Sequence, residues 1–208
     1  MAEDTVERAS NDLLNRLVRW FDGVQQRRLG IWEFSDEPNC IFRLGLGRLH
    51  YDMELPDGTA LREGAPVAIL HVWGEHMPPI PREGADMAWA RRTQRALVHS
   101  LRLVAREMAE DPRLADAQAL GNDTNLPVEA GGVRMFERLG FTFLEPLERR
   151  TLTDRVAGRV AHLWALLLRR AYNQKSAERW STKDFVTRPM WISRRSLLER
   201  YGAPDGRQ

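Results

Sequence analysis

The chain has 208 residues, 43% of them hydrophobic and 29% charged, which is enough apolar material to bury one sizeable core and not the composition of a disordered or membrane-spanning protein. The formal net charge is only +2, and acids are scattered among the arginines (only Lys175 and Lys183 of the 31 cations are lysines). No basic face or aromatic–basic motif therefore points to nucleic acid, and the single cysteine, Cys40, excludes an intrachain disulfide.

The first residues are polar and acidic and lack the basic and apolar regions of a secretory signal, so cytoplasmic residence is the expectation. Leu13, Leu14, Leu17, Val18, Phe21 and Val24 recur at helical spacing and predict a helix over Val6–Gln26. Gly30 and the polar Ser35–Asn39 stretch end it. Cys40–Leu46 and Leu49–Leu55 read as strands, with Cys40 a buried small hydrophobe and Asp52 on an exposed face. Pro56-Asp57-Gly58-Thr59 is a turn: proline presets φ and glycine accepts the positive φ that a tight turn requires. Ala65–Trp73 reads as a strand whose continuously apolar centre, Val67–Leu70, marks it as covered on both faces.

Pro78, Pro79 and Pro81 predict a loop, followed by a long helix from Asp86 to Glu110 with Leu97, Leu101, Val104 and Met108 on one stripe. Asp111-Pro112 stops that helix. Leu114–Leu120 reads as a short strand and Asn122–Gly132 as polar and glycine-rich. Val133–Leu139 reads as a helix stopped by Gly140, and Phe141–Leu144 as a strand closed by Pro146. Leu152–Tyr172 is a long amphipathic helix, 173–188 an irregular stretch, and Arg194–Tyr201 a short helix capped by Ser193. The expectation is one folded unit: an N-terminal helix (1–30), an α/β (α+β) core with a mixed sheet (31–148) and a C-terminal helical extension (149–208).

Two resemblances follow from particular residues. The order strand, helix, strand, helix, Gly-Phe, strand over residues 65–144, with Met135-Phe136-Glu137-Arg138-Leu139-Gly140-Phe141, resembles the second half of the GNAT acetyltransferase fold. Ile41-Phe42-Arg43, Leu55-Pro56-Asp57-Gly58-Thr59, Val67–His71, Gly132–Phe141 and Trp191-Ile192-Ser193 together resemble the YkoP-like family. That likeness implies a bacterial protein of unassigned activity, some relatives being joined to polysaccharide deacetylases or labelled as such. The chain lacks the Asp-Asp and His-x-x-x-His pattern that deacetylase chemistry requires, so an enzyme reading is disfavoured. If catalysis exists, the resemblance implies an acyltransferase. Against that, the loop that would hold acyl-CoA phosphates contains three prolines, which remove amide donors. Only Gly84 remains, beside Arg82 and ahead of an Asp86 whose charge suits a helix cap.

The candidate ligand pocket comprises His71, Trp73, Glu75, His76, Asn122, Asp123 and Thr124. His71 and Trp73 share a strand face, and Glu75 and His76 lie at the strand's C-terminal exit, where α/β sheets receive ligands. A His–Glu pair would supply a general base, and two His with a Glu a metal site; the plainer alternative is a buried histidine beside a solvated turn. Asn122-Asp123-Thr124 reads first as an Asx-turn and otherwise as ligand contacts. His99 reads as a helix spacer with no carboxylate close in sequence. Trp73 with a loop tryptophan would suit a sugar or apolar ligand, while Trp20, Trp89 and Trp164 read as core. No catalytic, cofactor-binding or metal-binding residue is assigned. The partner is an unidentified small molecule or protein, without nucleic acid. The arginine-flanked helix Leu152–Tyr172 is compatible with contact at a membrane surface.

Overall fold

The computed structural model describes residues 30–79, 81, 86–124, 130–145 and 188–202. The predicted helices Val6–Gln26 and Leu152–Tyr172, together with Arg82, Gly84, Trp20, Trp164 and Trp180, lie outside them. The described elements, in chain order, are β1 (Phe42–Arg48), β2 (Met53–Glu54), β3 (Ala60–Leu61), β4 (Pro66–Val72), α1 (Met87–Glu110), β5 (Ala119–Thr124), α2 (Ala130–Arg138), β6 (Thr142–Phe143), β7 (Arg188–Ser193) and α3 (Arg194–Tyr201).

Five strands form one mixed sheet in the order β1-β4-β5-β7-β6. β4 pairs antiparallel with β1, from Phe42↔Val72 to Arg48↔Pro66, and parallel with β5. Because side chains alternate, Phe42, Leu44, Ala68, Leu70, Leu120 and Ile192 share one face, and they are buried together under Leu97, Leu101, Val104 and Met108 of α1 and Leu197 of α3. The helical stripe read from the sequence is thus the one that packs. Val67, Ala119 and Trp191 on the other face are buried against Leu55 and Leu61 of the small β2–β3 hairpin. The apolar run in β4 serves both cores, as its unbroken hydrophobicity predicts.

Local chemistry sets the ends. Asp86 caps α1, its Oδ1 accepting from Trp89 N at 2.6 Å. Asp111 ends α1 and then accepts from Arg113 N, starting a short 3-10 turn. Ser193 Oγ caps α3 by accepting from Ser196 N at 2.9 Å. Gly140 terminates α2 with φ of +96°. Buried Ser100 of α1 fastens the start of β1, its Oγ accepting from Ile41 N at 2.9 Å and donating to Ala96 O at 2.7 Å.

Several sequence expectations are corrected. Leu49–Leu55 is not a continuous strand: only Met53–Glu54 pairs, because the chain turns at 50–52 and Asp52 accepts from Arg62 (2.7 Å) and Glu63 N (2.8 Å). The strand expected at Leu114–Leu120 runs from Ala119 to Thr124, because Pro112–Leu114 forms a 3-10 turn first. Arg188–Ser193, where the sequence reading places no strand, is a strand inserted between β5 and β6. Its indole Trp191 lies on Gly121, where an added Cβ would collide with Trp191 and with Met190 O.

Candidate functional site

β4 carries His71 to the face opposite the helices. There it pairs in register with Arg43 of β1 and packs over Gly45, where a Cβ would stand 3.5 Å from His71 Nε2. Burial first, and the positive Arg43 second, push the His71 pKa down to about 4. The imidazole is therefore neutral at physiological pH, and a base that weak abstracts protons poorly there.

Trp73, two residues on, is clasped by charge and by a second ring. The Arg43 guanidinium carbon lies 4.2 Å from its ring centroid, and His76 stacks on it at 3.7 Å with an interplanar angle of 16°. Arg43 is itself held by Glu33 at 2.8 Å. The 3-10 turn Gly74–His76 places His76 so that Nδ1 meets Cys40 O at 2.8 Å. Since a carbonyl only accepts, Nδ1 carries a proton and donates it to that oxygen. Glu75 accepts from Trp73 Nε1 at 3.3 Å rather than from either histidine. The His–Glu base pair considered from the sequence is therefore not assembled. No group of three or more His, Cys, Asp or Glu gathers to hold a metal among the described residues.

Asn122-Asp123-Thr124 is not a turn. These residues form the end of β5 and pair with Met190, Pro189 and Arg188 of β7. Asn122 lies on the sheet face opposite His71, so one expected pocket is split across the sheet. The link between the two halves is the seam between β4 and β5. The two strands pair only at Ala68↔Leu120 and Ile69↔Gly121, although β4 continues to Val72 and β5 to Thr124. Beyond Gly121 the ladder is replaced by one side chain, Asn122 Nδ2 donating to Leu70 O at 3.1 Å. Parallel strands that stop pairing at their C-terminal ends leave facing backbone groups for water or a ligand, at the place where α/β sheets bind ligands.

Two participants were missed from the sequence. Arg43 becomes a neighbour of Trp73 only through the β1–β4 register, and Glu33 reaches Arg43 beside the isolated Trp32↔Leu44 bridge; no local pattern announces either. His99, read as a spacer, pairs with Glu37 at 2.6 Å across 62 residues. A second polar cluster joins the β2–β3 turn to α3. Ser193 Oγ donates to Asp57 Oδ2, Ser196 Oγ donates to the same oxygen at 3.0 Å, and Thr59 N donates to Oδ1 at 3.0 Å. Arg195 lies 3.3 Å from the carboxylate. Despite partial burial, these hydrogen bonds hold the Asp57 carboxyl well below the usual carboxylate range. Nearby, Trp191 Nε1 donates to Tyr51 Oη at 2.8 Å. Thus Leu55–Thr59 and Trp191–Ser193, two of the segments that carried the family likeness, meet in space and lock the hairpin to the sheet.

No curated protein and no solved structure matches the chain. The model of the YkoP domain matches residues 11–201, nearly the whole length and inclusive of the hairpin turn, the β4–β5 seam and β7. On that match, this protein belongs to the YkoP domain family.

Proposed function

We propose that the protein is a non-catalytic, small-ligand-binding accessory protein of cell-envelope polysaccharide metabolism, taking its ligand where β4 and β5 separate. The observation that carries the reading is the opened parallel seam, bridged by Asn122 and bordered by the His71–Trp73–His76 group. The side chains of Glu75, His76 and Asn122 are already held by protein partners, which supports recognition over chemistry. His71 is too weak a base at neutral pH, and Glu75 serves the Trp73 indole. The envelope connection comes from the YkoP-like relatives joined to polysaccharide deacetylases. With Arg43 and His76 against its ring, Trp73 works as a fixed wall of the site rather than as a stacking platform for a sugar.

The test is a backbone amide NMR titration with short N-acetylglucosamine oligomers. Saturable shifts concentrated at 70–72 and 122–124, lost in Asn122→Ala, support the reading; an unperturbed seam at millimolar oligomer contradicts it.

A second reading, an acyltransferase with a divergent acyl-CoA loop, is favoured by the same seam and by the GNAT-like order of elements. Asp86 weakens it, since its carboxylate occupies the N-terminus of α1 where phosphate would bind. A saturable rise in melting temperature with micromolar acetyl-CoA would replace the first reading by the second.

A further inference from the structure

On the helical side of the sheet, α1, α2 and α3 enclose a cleft of about 490 Å3, within the roughly 300–1,000 Å3 range of small-ligand pockets. Its wall carries Arg102 from α1, Arg134 and Arg138 from α2 and Arg200 from α3, with Gln94 and Tyr201 between them. Among the described residues no aspartate or glutamate lines it. Helical periodicity explains the convergence: Gln94 and Arg102 are eight residues apart on α1, Arg134 and Arg138 four apart on α2. Tyr201 Oη donates to Leu139 O at 2.9 Å and pins the end of α3 to the end of α2. Burial raises the Tyr201 pKa, while Arg200 and Arg102 act against that rise.

Helix dipoles account for Arg138 and Arg200, which lie in the last turns of their helices. They do not account for Arg134, a turn earlier in α2. Arg134, Arg138 and Arg200 converge on one concavity and repel each other, and an anion is what turns that repulsion into attraction. Each planar fork fits the oxygens of a phosphoryl group in pairs.

We propose that this cleft binds a small phosphate ester or anhydride carrying two or more phosphoryl groups. It shares no residue with the β4–β5 seam, so the two sites stand or fall separately.

Isothermal titration calorimetry on the full chain, with inorganic pyrophosphate, orthophosphate and ADP as separate titrants, tests this. Pyrophosphate is expected to bind one to one, about tenfold or more tighter than orthophosphate. That binding weakens as salt rises from about 50 to about 300 mM. ADP tighter than pyrophosphate assigns the ligand to nucleotides; equal affinity means that the phosphoryl groups alone are read. Arg134 and Arg138 are exposed, so Arg134→Ala with Arg138→Ala should leave the unliganded melting temperature unchanged while weakening pyrophosphate about tenfold or more. Should that variant fold poorly, Arg134→Lys with Arg138→Lys keeps the charge and loses the preference for pyrophosphate over orthophosphate. Undiminished affinity in the folded variants, equal binding of the two phosphates, or heat only with anionic phospholipid vesicles would overturn the proposal.

Discussion

His71 makes a pH-dependent contribution to stability whose sign and size follow from its surroundings. In the unfolded chain its imidazole takes up a proton near pH 6.5; folded, between Arg43 and the sheet, it resists protonation until about pH 4. The unfolded state therefore binds the extra proton throughout that window. The contribution is complete above pH 6.5 and is lost as pH falls. The gap between the two values corresponds to about 3 kcal/mol in full. Of this, about 2 kcal/mol is gone by about pH 5. Urea denaturation at several pH values, run on wild type and on His71→Phe, isolates the effect because the remaining titrating groups are common to both. Wild type should lose about 2 kcal/mol more than the variant between about pH 7.5 and pH 5. NMR titration of the His71 ring should find it neutral at pH 6. Parallel loss of stability in the two proteins, or a ring that titrates near 6.5, would refute the assignment of burial as the dominant cause.

Three further substitutions probe the joints of the fold. Ser193→Ala removes both the cap of α3 and a hydrogen bond to the Asp57 carboxylate, so chemical denaturation should show a loss of about 2–3 kcal/mol. Gly121→Ala drives a methyl group into Trp191 and Met190 O and should cost about 3 kcal/mol or more. Gly58→Ala, at φ of +80° with open space around it, should cost only about 1 kcal/mol by the same measurement. Equal losses at the two glycines would contradict the placement of β7 against β5.

Much of the architecture was legible because it is local. The stripe Leu97, Leu101, Val104, Met108 reports a 3.6-residue period, and all four side chains are buried. The caps Asp86 and Ser193 and the stop at Gly140 depend only on neighbouring backbone groups. The unbroken apolar run Val67–Leu70 announced a strand covered on both faces. The site was less legible. His71, Trp73, Glu75 and His76 could be grouped from the sequence because they are adjacent on one strand and the turn after it. Their true partners, Arg43, Glu33 and Cys40 O, arrive from another strand.

What the amino-acid order determined by itself was the set of elements that satisfy their own hydrogen bonds or declare a buried face within a few residues. What only the tertiary structure decided was pairing at a distance. Arg188–Ser193 becomes a strand because β5 and β6 offer it edges and Gly121 leaves room for Trp191. Asn122 leaves its expected turn because β7 continues the ladder while β4 does not. The same distance separates Asp57 from Ser193. No local propensity encodes such contacts, since a strand's hydrogen bonds and a carboxylate's partners exist only once the remote segment has arrived.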